Sequence, residues 1–153
     1  VISADMLANE ASYESDFHAW ALRQVALLRE GRLDALDVEN LAEEIGDLGS
    51  SQRSELVSRL AVLLTHLLKW QFQPERRGHS WSQTISEQRY RIGLLKRRSP
   101  SLRAFQERAL RDAYRIALRR AAHESNLPEH ALPGECAYTL DQVLDRDFWP
   151  GPV

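Results

Sequence analysis

Leu60 to Trp81 reads LAVLLTHLLKWQFQPERRGHSW, and this stretch decides the fold. At 100° per residue, Val57, Leu60, Leu64, Leu67, Leu68 and Gln71 fall on one broad face, the signature of an amphipathic helix. Pro74 lacks a backbone N–H and cannot continue that helix, so the expected span is Gln52 to Phe72. His66 lies just outside the apolar stripe, with Trp70 a turn further along the same edge. Arg59, His66 and Gln73 make a seven-residue column there. A histidine, a lysine (Lys69) and two tryptophans (Trp70, Trp81) therefore border an otherwise apolar element.

Immediately upstream, Asp37 to Leu48 reads DVENLAEEIGDL. Asp37 can cap a helix over Val38–Leu48, whose stripe is Val38, Leu41, Ile45 and Leu48. Gly49, Ser50 and Ser51 predict a break between it and the helix that follows. Glu44 flanks the stripe, while Glu39, Glu43 and Asp47 repeat at i,i+4. Like charges so placed cost about 0.2–0.5 kcal/mol per pair. Either a cation sits opposite them, with Lys69, Arg59 and Arg89 as candidates and a divalent metal as the sharper alternative, or the face is solvated.

Helical periodicity continues in both directions. Ser12 can cap a first helix of Tyr13 to Glu30 with Phe17, Trp20, Ala21, Leu27 and Leu28 inward, stopped by Gly31. Ser80 with Gln83 forms a candidate capping box for a helix whose face is Trp81, Ile85, Ile92 and Leu95. Ser99-Pro100 predicts a stop and a new start. The next helix, about Pro100 to Glu124, packs through Leu102, Phe105, Ala109, Ala113 and Ile116. From Asn126 the chain reads as a strap with a short helix, Leu140 to Leu144, behind Thr139, and with Phe148 and Trp149 as anchors. The expected fold is all-α: an antiparallel bundle of four to five main helices with an irregular C-terminal strap. Residues 1–11 are expected to fray, and 12–153 to form a single all-α domain.

Composition excludes several classes. The chain has 153 residues, 43% of them apolar and 27% charged, which suits a globular core and not a disordered polymer. Its single cysteine, Cys136, excludes an intramolecular disulfide and favours a reducing compartment. The charge-free run Leu60–Leu68 is half a membrane span, and the first residues show no basic segment followed by an apolar one. The expectation is a cytoplasmic protein with no membrane partner. Charge is strongly segregated: −8 over residues 1–55, +1 over 56–75, +10 over 76–120 and −5 over 121–153, against −2 for the whole chain. Such segregation predicts either self-complementation or a basic face offered to a polyanion.

Catalytic motifs are sparse. Di-metal bundles need Glu-x-x-His on two helices, but Leu63 and Ser15 precede His66 and His18 at the required position. No metal site and no cofactor are expected. Neither G-x-S-x-G nor a glycine-rich phosphate loop occurs. Cys136 sits beside Glu135, which would hinder thiolate formation.

The segments Asp16–Trp20, Glu39–Leu41, Glu43-Glu44, His66–Trp70, Trp81, Gln88-Arg89 and Tyr138–Leu140 resemble the bacterial domain-of-unknown-function family twenty-nine. The likeness runs from Tyr13 to Pro150. It implies an entirely α-helical fold and carries no functional residues.

The leading functional expectation is a non-enzymatic module that binds another protein or assembles with one. Its expected site is a polar seam of Glu43, Glu44, His66, Lys69, Trp70, Trp81 and Arg89, with carboxylates opposite Lys69 and Arg89. An alternative is nucleic-acid binding through the ridge Arg108, Arg111, Arg115 and Arg119. A second alternative is a small-ligand or metal-dependent enzyme using Glu44 and His66.

Overall fold

The computed structural model describes residues 12–153 and is all-α among them. The frayed segment expected at residues 1–11 lies outside the described residues. The chain packs as two compact units, one ending at Gly49 and one spanning Ser50–Val153. The sequence pattern carries no linker that would announce this division.

In the first unit, α1 runs from Phe17 to Arg29. It begins later than the expected Tyr13, because Asp16, not Ser12, accepts the Ala19 N–H at 3.0 Å. Ser12 and Ser15 instead close a polar turn ahead of the helix. Gly31 stops α1 with φ 71°, and the Arg32 N–H reaches back to the Leu27 carbonyl at 2.9 Å. That is the six-to-one bond of a Schellman ending, which needs a left-handed residue where only glycine is unstrained. Trp20, Gln24 and Leu27, spaced four and three apart, are the buried face. Phe17 and Leu28, expected inside, are each 49% exposed.

Helix α2 spans Val38–Phe72 without interruption. This corrects the expected break at Gly49. Glycine in a helix interior costs only about 1 kcal/mol relative to alanine, and no proline is present to remove a hydrogen bond. The N-terminal cap is as expected: Asp37 takes the Asn40 N–H at 3.4 Å and the Asn40 amide at 2.7 Å.

The second unit is a bundle of the C-terminal part of α2, α3 (His79–Arg98) and α4 (Gln106–Ser125). Side-chain contacts give the directions. Gln52 near the start of this part of α2 meets Ser99 at the end of α3, while Lys69 near the end of α2 lies over Trp81 at the start of α3. These two helices are antiparallel. Arg53 stacks on Phe105, and Lys69 pairs with Glu124, so α2 and α4 run parallel with α3 reversed between them in sequence. The core is Leu56, Leu60, Leu63, Leu64, Leu67 and Leu68 of α2 against Ile85, Ile92 and Leu95 of α3 and an alanine ladder of α4. Ala109, Ala113, Ala117 and Ala121 are all essentially inaccessible, and their small side chains let α4 pack closely.

Two helix starts differ from expectation. Gly78 precedes α3, so Ser80 lies inside the helix and caps nothing. Pro100 opens a 3-10 turn, Pro100–Ala104, and α4 starts only at Gln106. The strap agrees with the sequence: α5 (Leu140–Leu144) begins with a complete capping box between Thr139 and Gln142.

Candidate functional site

The seven residues expected to form one polar seam separate into three places. Glu43 and Glu44 belong to the first unit, and the other five belong to the second. The seam required the acidic segment to fold back as a separate helix. α2 does not turn at Gly49, so that segment and His66 belong to one helix and not to two.

At the C-terminal end of α2, Lys69 is only 9% exposed. Its Nζ lies 2.8 Å from Glu124 Oε2 and 4.8 Å from the centre of the Trp81 ring. A buried ammonium needs a counter-charge, and the ring face adds a second favourable field. The expected carboxylate is thus present, but it comes from α4. Parallel packing of α2 and α4 brings their last turns to the same end. His66, half-buried as its angular position predicts, places Nδ1 2.8 Å from the Val62 carbonyl. A carbonyl can only accept, so Nδ1 carries the proton and Nε2 is left as an acceptor. Burial pushes its pKa below the ordinary value, with Lys69 adding to the effect against the Val62 carbonyl. The ring is neutral at pH 7 and makes an intrahelical structural bond.

Arg89 and Trp70 hold the strap. Arg89 is 7% exposed, and burial lowers its pKa. It donates from Nε to the Val143 carbonyl at 2.8 Å and from Nη2 to the Phe148 carbonyl at 2.8 Å. The carboxylate expected opposite Arg89 is therefore replaced by carbonyls. Val143 lies in the last turn of α5, where carbonyls lack helical partners and attract a cation. Trp149 packs on Trp70 with centroids 4.7 Å apart. Arg77 covers the other tryptophan and donates to its carbonyl at 2.6 Å. Arg59, another expected partner for the acidic face, pairs with Glu55 at 3.0 Å.

In the first unit the acidic segment has partners of its own. Glu44 accepts the Tyr13 hydroxyl at 2.6 Å, which raises the phenol to about 12. Tyr13, Phe17 and Trp20 form an edge-packed aromatic cluster. Trp20 donates its indole N–H to Asp37 at 3.0 Å, and Gln24 accepts the Asp37 N–H at 2.8 Å. The Asn40 amide, aided by Trp20, holds Asp37 below the usual carboxylate range. Tyr13 and Gln24 carry no motif that would have marked them; their role depends on how α1 lies against the start of α2.

The same unit exposes most of the large apolar side chains on the described surface. Phe17, Leu22, Val25 and Leu28 project from α1, and Val38 and Ile45, 64% and 65% exposed, from α2. Glu39, Glu43 and Asp47 are exposed beside them. Among the described residues of this unit, only Ala26 and Leu27, with Leu36 against them, form a buried cluster. Of the stripe expected to pack inward along Val38–Leu48, Val38, Ile45 and Leu48 face outward and Leu41 is half-buried.

The arginine ridge occupies the side of α4 opposite its alanine ladder: Arg108, Arg111, Arg115 and Arg119 are all exposed. Among the described residues, no group of three or more His, Cys, Asp or Glu could hold a metal ion. No helix among them is long and apolar enough to cross a membrane. Cys136 is half-buried, and burial raises its thiol pKa, against thiolate chemistry.

The sequence model of a family described as "Domain of unknown function DUF29" matches residues 12–149. No curated protein and no solved structure matches the chain.

Proposed function

The chain belongs to the DUF29 family, and we propose from its own surface that it is a non-enzymatic protein-binding module whose first unit receives a basic amphipathic helix of a partner. The observation that carries this reading is the outward apolar stripe of that unit. Phe17, Val25 and Leu28 follow helical i, i+8, i+11 spacing on α1 with half-buried Ala21 between them, and Val38 and Ile45 stand seven apart on α2. Exposed apolar surface of this kind, rimmed by charge, marks an interaction site. The rim is acidic, with Glu39, Glu43 and Asp47 at four-residue steps on α2. Charge complementarity therefore selects a helix with an apolar face flanked by Lys and Arg. The lone Cys136 supports a reducing compartment, and we place the protein in the bacterial cytoplasm.

A pair of synthetic amphipathic helices tests the reading, one with Lys and one with Glu flanking a leucine face. Binding is followed by calorimetry against the full chain and against Ile45→Lys, an exposed position whose fold is checked by circular dichroism. The Lys-flanked helix should bind, more weakly as salt rises, and the Glu-flanked one should not. Ile45→Lys should lose about tenfold or more in affinity, the equivalent of one apolar side chain left unburied. Absence of binding at low salt, or binding undisturbed by Ile45→Lys, refutes the proposal. A self-association that Ile45→Lys abolishes would make a second copy the occupant instead.

A further inference from the structure

A second surface, wholly within the Ser50–Val153 unit, concentrates positive charge in a concavity. Arg89, Tyr90, Gly93, Lys96 and Arg97 of α3, Arg103 of the following 3-10 turn and Arg146 after α5 line a solvent-open pocket of about 440 Å³. The α3 positions 89, 93, 96 and 97 follow helical spacing and share one face. Gly93 lies in the middle of that face, and a Cβ there would meet nothing within 4 Å. Its missing side chain leaves the floor of the pocket open.

Five cationic side chains line this space, and among the described residues none has a carboxylate oxygen within 4.0 Å. The acids that bear on them, Asp141 towards Lys96 and Asp145 towards Arg89, only partly offset the charge. Burial and the neighbouring Arg103 disfavour the charged form of Lys96. Arg89 is fixed by strap carbonyls, yet its buried Nη1 has no hydrogen-bond partner. Like charges held together without counter-charges repel, and a bound polyanion would remove that repulsion.

We propose that this pocket binds a small molecule carrying two or more adjacent phosphate groups, with Lys96, Arg97, Arg103 and Arg146 as phosphate ligands and the Tyr90 ring at its rim. The volume lies in the range of small-ligand pockets. Guanidinium forks match phosphate oxygens in pairs. Tyr90 is among the exposed large side chains, and its ring offers a face on which a nucleobase could stack. All the lining residues belong to the Ser50–Val153 unit, and the proposal does not depend on the reading of the first unit.

Calorimetry on the full chain at low salt would use pyrophosphate, ADP, citrate and a single-stranded oligonucleotide as probes. Pyrophosphate and ADP should bind. Gly93→Leu fills the pocket without removing a charge, on a helical backbone with free space around it, so the fold should persist. It should weaken both ligands about tenfold or more, as should Arg103→Gln, each removing a charge-assisted contact or access to it. Tighter binding of ADP than of pyrophosphate, lost in Tyr90→Ala, supports the stacking arm. Equal binding of the two confines the site to phosphate and leaves Tyr90 out. Citrate binding as tightly as pyrophosphate would overturn the phosphate assignment. So would binding of the oligonucleotide alone, unaffected by Gly93→Leu, since that would be polyelectrolyte attraction to an exposed ridge. Failure of every probe to bind at low salt also overturns it.

Discussion

His66 shows how a residue with the right chemistry can be occupied by structure. Its Nδ1–H is bonded to the Val62 carbonyl, and its surroundings favour the neutral ring. A base whose folded pKa lies below its unfolded value takes up a proton more readily when unfolded. Stability from this residue is therefore complete above the unfolded pKa of about 6.5 and is lost as pH falls through it, levelling off below the folded value. Urea midpoints at pH 7.5 and pH 5.0 should fall further in the parent protein than in His66→Gln. Identical pH dependence in the two would show that His66 titrates as it does in the unfolded chain. Lys69 makes the complementary point. The need for a counter-charge was legible from its position beside an apolar stripe, whereas the identity of Glu124, 55 residues away, was not.

At the scale of elements, some local signals held, while the expected Ser12 cap and Ser80–Gln83 box gave way to Asp16 and Gly78. Asp37 as a cap, Gly31 as a stop and Thr139 as the residue before α5 each satisfy backbone groups within a few residues. Gly49 as a breaker failed because a glycine weakens a helix without forbidding it, and no proline interrupts Val38–Phe72. The continuous α2 has a direct test. Gly49 has no positive φ, and an added Cβ would meet nothing within 4 Å. Gly49→Ala should therefore stabilise the protein by about 0.5–1 kcal/mol in urea unfolding. A loss of stability would indicate a break or left-handed turn at that position.

At the scale of the whole molecule, two units differ in how much apolar surface they bury. The second has a core drawn from four helices, and among the described residues the first buries little beyond Trp20, Gln24, Ala26 and Leu27. Local stability follows local burial. Amide exchange should thus be slowest over the stretch of α2 around Leu56–Leu68 and much faster over Val38–Leu48, although both belong to one helix. Uniform protection along α2 would contradict the division. The all-α class, the ends of most helices and four of the five inward leucines of the 60–68 stretch (Leu60, Leu64, Leu67 and Leu68, but not Leu63) are legible in the sequence. These follow from periodicity and capping, which act over one or two turns. Only the tertiary structure decided which apolar stripes are covered. The stripe of Val38 and Ile45 has the same period as a core stripe, and no residue within it says whether another helix lies opposite. The same holds for the basic pocket. Lys96 and Arg97 stand out in the sequence, but Arg103 and Arg146 join them through the turn after α3 and the return of the strap, contacts that no local pattern encodes.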